Sequence, residues 1–167
     1  MMRTFGWPEF LFILEAAKWT IALSAIAFAG GSIVGLMVAL ARTAESRVLQ
    51  FAATVFTQIF QGTPLLLQLF LVFFGAPILG LDINPWLAAA AALILNSGAF
   101  LGEIWRGCIQ AVPRGQLEAA QALSLSYYWR MRDVVLPQAM KIAVAPTVGY
   151  LVPVSYTHLT LPTSDLV

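Results

Sequence analysis

Charge is what this 167-residue chain has least of: Asp, Glu, Lys and Arg make up 10% of it, against about 25% in soluble domains. So little charge cannot dress a water-facing surface. The apolar share of 60% and a mean hydropathy of +0.83 place the chain in a bilayer. Cysteine occurs once, at Cys108, which excludes an intrachain disulfide. Histidine also occurs once, at His158, and no His/Cys/carboxylate cluster has metal-ligand spacing. There is no Gly-x4-Gly-Lys-Ser/Thr run to cradle ATP phosphates and no serine in a nucleophile-elbow context. No cofactor is expected in this chain. A net charge of +1 gives no footprint for nucleic acid.

What is present is a series of uncharged runs. Thr20 to Ala41 is long enough to span, which takes about 20 residues. Phe51 to Leu81 is also uncharged, but "QGTPLL" puts Gly62 and Pro64 inside it. The expectation is a short helix at 51–60 and a spanning helix opened by Pro64. A third run covers Ile83 to Gly102, helical from Trp86, and a fourth covers Ile142 to Val154. The N-terminal "WPEFLFILEAAKW" is too short and too charged to span and reads as an interfacial amphipathic helix. No classical signal peptide precedes it. The fold expected is an all-α membrane protein, a multi-span bundle with about four spans.

Basic residues orient the spans. Arg42 and Arg47 follow the first. Arg106, Arg114, Arg130, Arg132 and Lys141 follow the third, while the Gly80–Pro85 loop holds only Asp82. The positive-inside rule then puts the 42–50 and 106–136 loops in the cytoplasm, with Arg3 and Lys18 on the opposite side. The 114–139 block, "RGQLEAAQALSLSYYWRMRDVVLPQA", becomes a long cytoplasmic loop. "QLEAAQAL" consists of strong helix formers. Ser126 is placed to N-cap a second helix through Val134, and Pro137 to open the fourth span. The block reads as a helix–turn–helix, with small Ala119 and Ala120 permitting close approach of another surface. Arg114 and Glu118 share a face at i,i+4 spacing.

Three segments carry a resemblance. "GQLEAAQALSLS…VVLPQA" resembles the EAA loop of binding-protein-dependent ABC importers, through Glu118, Ala119 and Ala120, then Val134, Leu136 and Pro137. "FQGTPLLLQLFLVFFG" and "AFLGEIWRGCIQAVPRGQ" resemble segments of the permeases of the polar amino acid branch. The resemblance covers roughly residues 20–154, in order. It implies the membrane permease subunit of an amino acid importer in the bacterial inner membrane. Its implied partners are a separate ATPase, a second permease chain, identical or sister, and an external solute-binding protein. ATP is then bound by the partner ATPase. The implied coupling residues are Gly115, Glu118, Ala119, Ala120, Ser124, Leu136 and Pro137.

The chain departs from that pattern in three places. The family's glycine after EAA is Ser124. A left-handed turn there costs a non-glycine residue about 1 kcal/mol. The arginine before Gly-Thr-Pro is Gln61, which loses an ion pair but keeps hydrogen-bonding capacity. After "GYLVPV" the family continues into a fifth span, whereas this chain reads "SYTHLTLPTSDLV", like a translated sequencing adapter. The division expected is a permease domain over 1–154, incomplete at its C-terminus, and a non-native tail over 155–167.

Other polar and small residues have plain readings first. Glu103 and Arg106 are expected to pair at the membrane edge. Gly31 and Gly35 form a Gly-x3-Gly packing pair. Gln68, Asn96 and Ser97 need partners at mid-membrane. Interhelical hydrogen bonding is their first reading, and lining a translocation path the second. Trp86 and Trp105 read as interfacial anchors. Two other functions stay open. A secondary transporter would need ion-coupling carboxylates in its spans, which are missing. A non-transporting assembly subunit would leave transport intact when deleted.

Overall fold

The computed structural model describes residues 6–80 and 84–157. Asp82 of the expected external loop and residues 158–167 of the expected tail lie outside them, and the expected tail boundary near Ser155 falls inside the last helix. The elements are α1 (Trp7–Thr43), α2 (Arg47–Gly62), α3 (Leu65–Ile78), α4 (Pro85–Gln110), α5 (Arg114–Ala122) and α6 (Tyr127–Trp129). A π-helical segment (Arg130–Val135) joins α6 to α7 (Leu136–Thr157). Among the described residues, three stretches are long and apolar enough to cross a membrane: Ala17–Thr43, Pro85–Gln110 and Tyr127–Leu151.

The structure alters the sequence reading at three points. The N-terminal segment is no separate interfacial helix. It runs into α1, a single helix of 37 residues, because nothing between Lys18 and Thr20 can break it. The second apolar run is not one unbroken span either. Its α3 has 14 residues, about 21 Å at 1.5 Å per residue, against a hydrocarbon core of about 30 Å. It makes a bent pair with α2 at 104°, a broken span or a re-entrant loop. The bundle thus has three unbroken candidate spans, and a fourth if the bent pair counts as one. Finally, Pro137 opens no helix. Residues 127–157 form one continuous rod through the π segment. The Leu136 N–H donates to the Met131 carbonyl, five residues back. This wider turn accommodates a proline whose ring would otherwise press on the preceding turn. The Gln138 side-chain amide donates to the Val134 carbonyl at 2.9 Å.

The centre of the bundle is the α1–α4 contact. A Cβ on Gly31 would lie 2.6 Å from the Ser97 Cβ, and one on Gly35 would lie 2.9 Å from the Leu101 Cβ. From the other side, Gly98 and Gly102 receive Val34 and Val38, whose Cγ1 atoms would stand 2.6 and 2.7 Å from an added Cβ. Without a hydrophobic drive between helices in lipid, such close backbone approach supplies the van der Waals contact that holds a bundle together. Trp19 meets Trp86 at 5.1 Å between ring centroids at one end of this pair. Arg42 and Arg106 both bind the Glu103 carboxylate at the other. The α7 rod joins through the Trp105 Nε1–H, which donates to the Thr147 hydroxyl at 2.8 Å, and through Phe100 stacked on Tyr150.

Candidate functional site

Two polar features interrupt the greasy bundle. One is the elbow between α2 and α3. The break at Thr63 and Pro64, both extended in ψ, frees backbone carbonyls that cannot meet water inside a membrane. Gln68 answers them. Its amide nitrogen lies 2.8 Å from the Phe60 carbonyl, 3.0 Å from that of Thr63 and 2.9 Å from the Thr63 hydroxyl. Its own oxygen accepts from Asn96 Nδ2 at 3.2 Å. Asn96 also reaches the Phe60 carbonyl at 3.4 Å. Gln61 donates to the Ala99 carbonyl at 3.3 Å, so the glutamine in the arginine position does form a hydrogen bond.

Gln68 and Asn96 are therefore together, as interhelical hydrogen bonding requires. Ser97 is not with them. It is buried, turned toward Gly31 of α1, and hydrogen-bonds Tyr150 of α7. The three residues named for a translocation path do not share one surface. Among the described residues, no buried side-chain nitrogen or oxygen lacks a partner.

The second feature is the 114–139 block. Helix α5 starts after Pro113, whose missing N–H is harmless at a helix entrance. It ends in a Schellman turn: Leu125 N–H donates to the Ala120 carbonyl at 3.2 Å and Ser124 N–H to that of Gln121 at 2.8 Å. Ser124 occupies the left-handed position with φ +56°, where the sequence departs from glycine. Ser126 stands at the N-cap of α6, but its hydroxyl makes no cap bond.

One face of α5 is seated and the other is open. Ala120 is buried, and Leu117 packs on a cluster of Ala39, Ile109, Val112, Val135 and Ala139. Leu136 packs on the same cluster, while Pro137 is exposed. Tyr127 donates its hydroxyl to the Thr43 carbonyl at 3.0 Å, and Arg130 approaches Glu45 at 3.6 Å. These contacts bind the block to the ends of α1, α4 and α7. On the open face stand Gly115, Glu118 and Ala119. Nothing lies within 4 Å of where a Gly115 Cβ would be. Beside them Leu123, Tyr128 and Trp129 are exposed apolar side chains. Among the described residues no ion pair joins Arg114 to Glu118, which leaves both free to meet something else.

Sequence reading missed the partners that fix this geometry. Arg42 as a second ligand of Glu103, Thr43 as the acceptor for Tyr127, and Thr147 as the acceptor for Trp105 lie 61, 84 and 42 residues from their counterparts. Local spacing carries no signal at that range.

A family model described as "Binding-protein-dependent transport system inner membrane component" matches residues 31–157. A relative from Rickettsia bellii is 41% identical over 135 residues, which are 80% of this chain and 62% of that one. The "Glutamine transport system permease protein GlnP" of Escherichia coli K12 is 35% identical over 142 residues, 84% of this chain and 65% of that one. The chain thus spans less than two thirds of the length of these two relatives. Among solved structures, an amino acid ABC transporter crystallised with histidines superposes with a TM-score of 0.73 at 29% identity, over 95% of this chain and 77% of that one. An inward-facing MetNI methionine ABC transporter shares the fold, with a TM-score of 0.76 at 21% identity over 90% of this chain and 73% of that one.

Proposed function

Because this chain belongs to the family of binding-protein-dependent transport system inner membrane components, we propose that it is the permease subunit of an ATP-driven amino acid importer. The relatives' names point to glutamine or a similar polar amino acid. In this reading two permease chains line one path, an external binding protein delivers the substrate, and a separate ATPase supplies the energy. The membrane is the bacterial inner membrane, with the 114–137 block on the cytoplasmic side. The chain itself hydrolyses nothing.

The observation that carries the reading is the two-faced α5. Its inner face is fixed to the spanning helices by Leu117 and Ala120, and its outer face offers Gly115, Glu118 and Ala119 without bulk. A helix held this way passes a push to the bundle rather than absorbing it. The block can shift the bundle between inward and outward access only if the ATPase grips it differently in its two states. Gly115, Glu118, Ala119 and Ala120 form the gripped helix, Ser124 sets its end, and Leu136 and Pro137 lead the motion into α7. Gln68, Asn96 and Ser97 act in packing under this reading, since each already has a protein partner.

The test is Glu118→Trp and Ala119→Trp in the assembled transporter in proteoliposomes. Uptake should fall at least tenfold, with the protein inserted normally and ATP hydrolysis no longer following substrate. Wild-type uptake in both variants would reject the coupling role.

A further inference from the structure

Where α1, α4 and the 114–139 block meet, a pocket of about 610 Å³ opens, within the range of about 300–1,000 Å³ typical of ligand sites. Arg42, Arg114 and Arg130 line it, joined by Gln110, Gln121 and Tyr127, and none of its described lining residues is a carboxylate. Val112, Leu117 and Val135 give it an apolar floor. The charges around it do not balance. Glu103 is shared between Arg42 and Arg106, and Glu45 answers Arg130 from 3.6 Å with a largely exposed side chain. Arg114 has no ion-pair partner among the described residues. Three guanidiniums thus line a pocket that has no carboxylate in its described wall, an excess suited to a phosphate, which arginine binds through paired N–H donors.

Position narrows the ligand. Arg42 and Gln110 lie in the last turns of the candidate spans Ala17–Thr43 and Pro85–Gln110, so with these two helices crossing the bilayer the pocket comes to headgroup depth. An apolar floor under a cationic rim matches an amphiphile better than a soluble anion. We propose that this pocket binds the phosphate of an anionic phospholipid headgroup. The proposal is independent of ATPase coupling and requires only that α1 and α4 span the membrane.

The test uses the whole purified chain in a neutral detergent, with lipid retention read by native mass spectrometry. The probes are phosphatidylglycerol, phosphatidylcholine and free glycerol 3-phosphate. Arg114→Gln removes one guanidinium, and Gln121→Glu adds a carboxylate to the wall. Both residues are exposed, and an unchanged thermal midpoint verifies folding. Phosphatidylglycerol should bind at least tenfold tighter than phosphatidylcholine. Each variant should lose at least fivefold of that binding, and the double variant should show no preference. Equal retention of the two lipids, or wild-type retention by both variants, overturns the proposal. So does displacement by glycerol 3-phosphate at equal concentration, which would make the ligand a soluble anion. Weakened recovery of an ATPase partner by Arg114→Gln, with phosphatidylglycerol still retained, overturns it too and gives the pocket to an acidic side chain. Failure in any of these arms leaves the coupling reading standing, because none of them measures transport.

Discussion

A Cβ placed on Gly31 would stand 2.6 Å from the Ser97 Cβ and 3.2 Å from the Gly98 nitrogen, so α1 and α4 touch there backbone to backbone. Backbone cannot rotate aside as a flexible side chain can. Gly31→Leu should therefore force the helices apart and lower stability by about 1–3 kcal/mol, the usual cost of overpacking. Gly107→Ala is the control. Nothing lies within 4 Å of its Cβ position, and it should gain about 0.5–1 kcal/mol from helix propensity. Thermal midpoints of the two variants in detergent should move in opposite directions.

Gln68 is the bolt of the elbow. Replacing it with Leu strips partners from the Thr63 carbonyl and from Asn96 and leaves the Phe60 carbonyl only the longer bond from Asn96. Each unsatisfied group costs about 1–3 kcal/mol, so Gln68→Leu should destabilise the bundle more than Asn96→Leu. Asn96 holds fewer of these bonds. The double variant should fall short of the sum of the two, because both act in one network. Additive losses of stability would separate the residues. Lost uptake with unchanged stability would return Gln68 to the translocation path.

How much of this was legible follows from distance along the chain. The Gly31–Gly35 spacing is local, and so was its meaning. The break at Gly62–Pro64 was equally plain, because proline and glycine act where they stand. Its angle of 104° was not, since Asn96, far along the chain, helps to fix it. Pro137 misled for the complementary reason. A proline normally ends a helix, and only the π turn before it, invisible to composition, lets the rod continue. In the 114–139 block the left-handed site was readable at Ser124 from the family's glycine, while the seat beneath α5 depends on Ala39, Ile109 and Val135, gathered from three different helices.

Glu103 holds two arginines, Arg42 from α1 and Arg106 from its own helix. Its side chain is about one-third exposed, so solvent screens much of the attraction. Glu103→Gln should cost about 1 kcal/mol rather than the several expected of a fully buried pair. Adding Arg42→Gln should recover part of that loss, because the uncompensated charges are then fewer. Thermal midpoints at low salt should show the pattern, and it should shrink in 1 M NaCl, where the screening length is about 3 Å.

Ser124 at φ +56° supplies the last test. A residue with a Cβ pays about 1 kcal/mol or more in this conformation, and glycine does not. The Schellman bonds from Ser124 and Leu125 depend on the backbone alone, and the side chain is exposed. Ser124→Gly should therefore keep both bonds and slow amide exchange at the end of α5. Ser124→Val should do the reverse, since a β-branched residue tolerates this region least. Hydrogen exchange at the amides of Leu123, Ser124 or its replacement, and Leu125 should follow the order glycine, serine, valine from slowest to fastest. Unchanged rates across the three would mean that the turn is set by the seat of α5 on Ala39, Ile109 and Val135 and that residue 124 adds nothing to it.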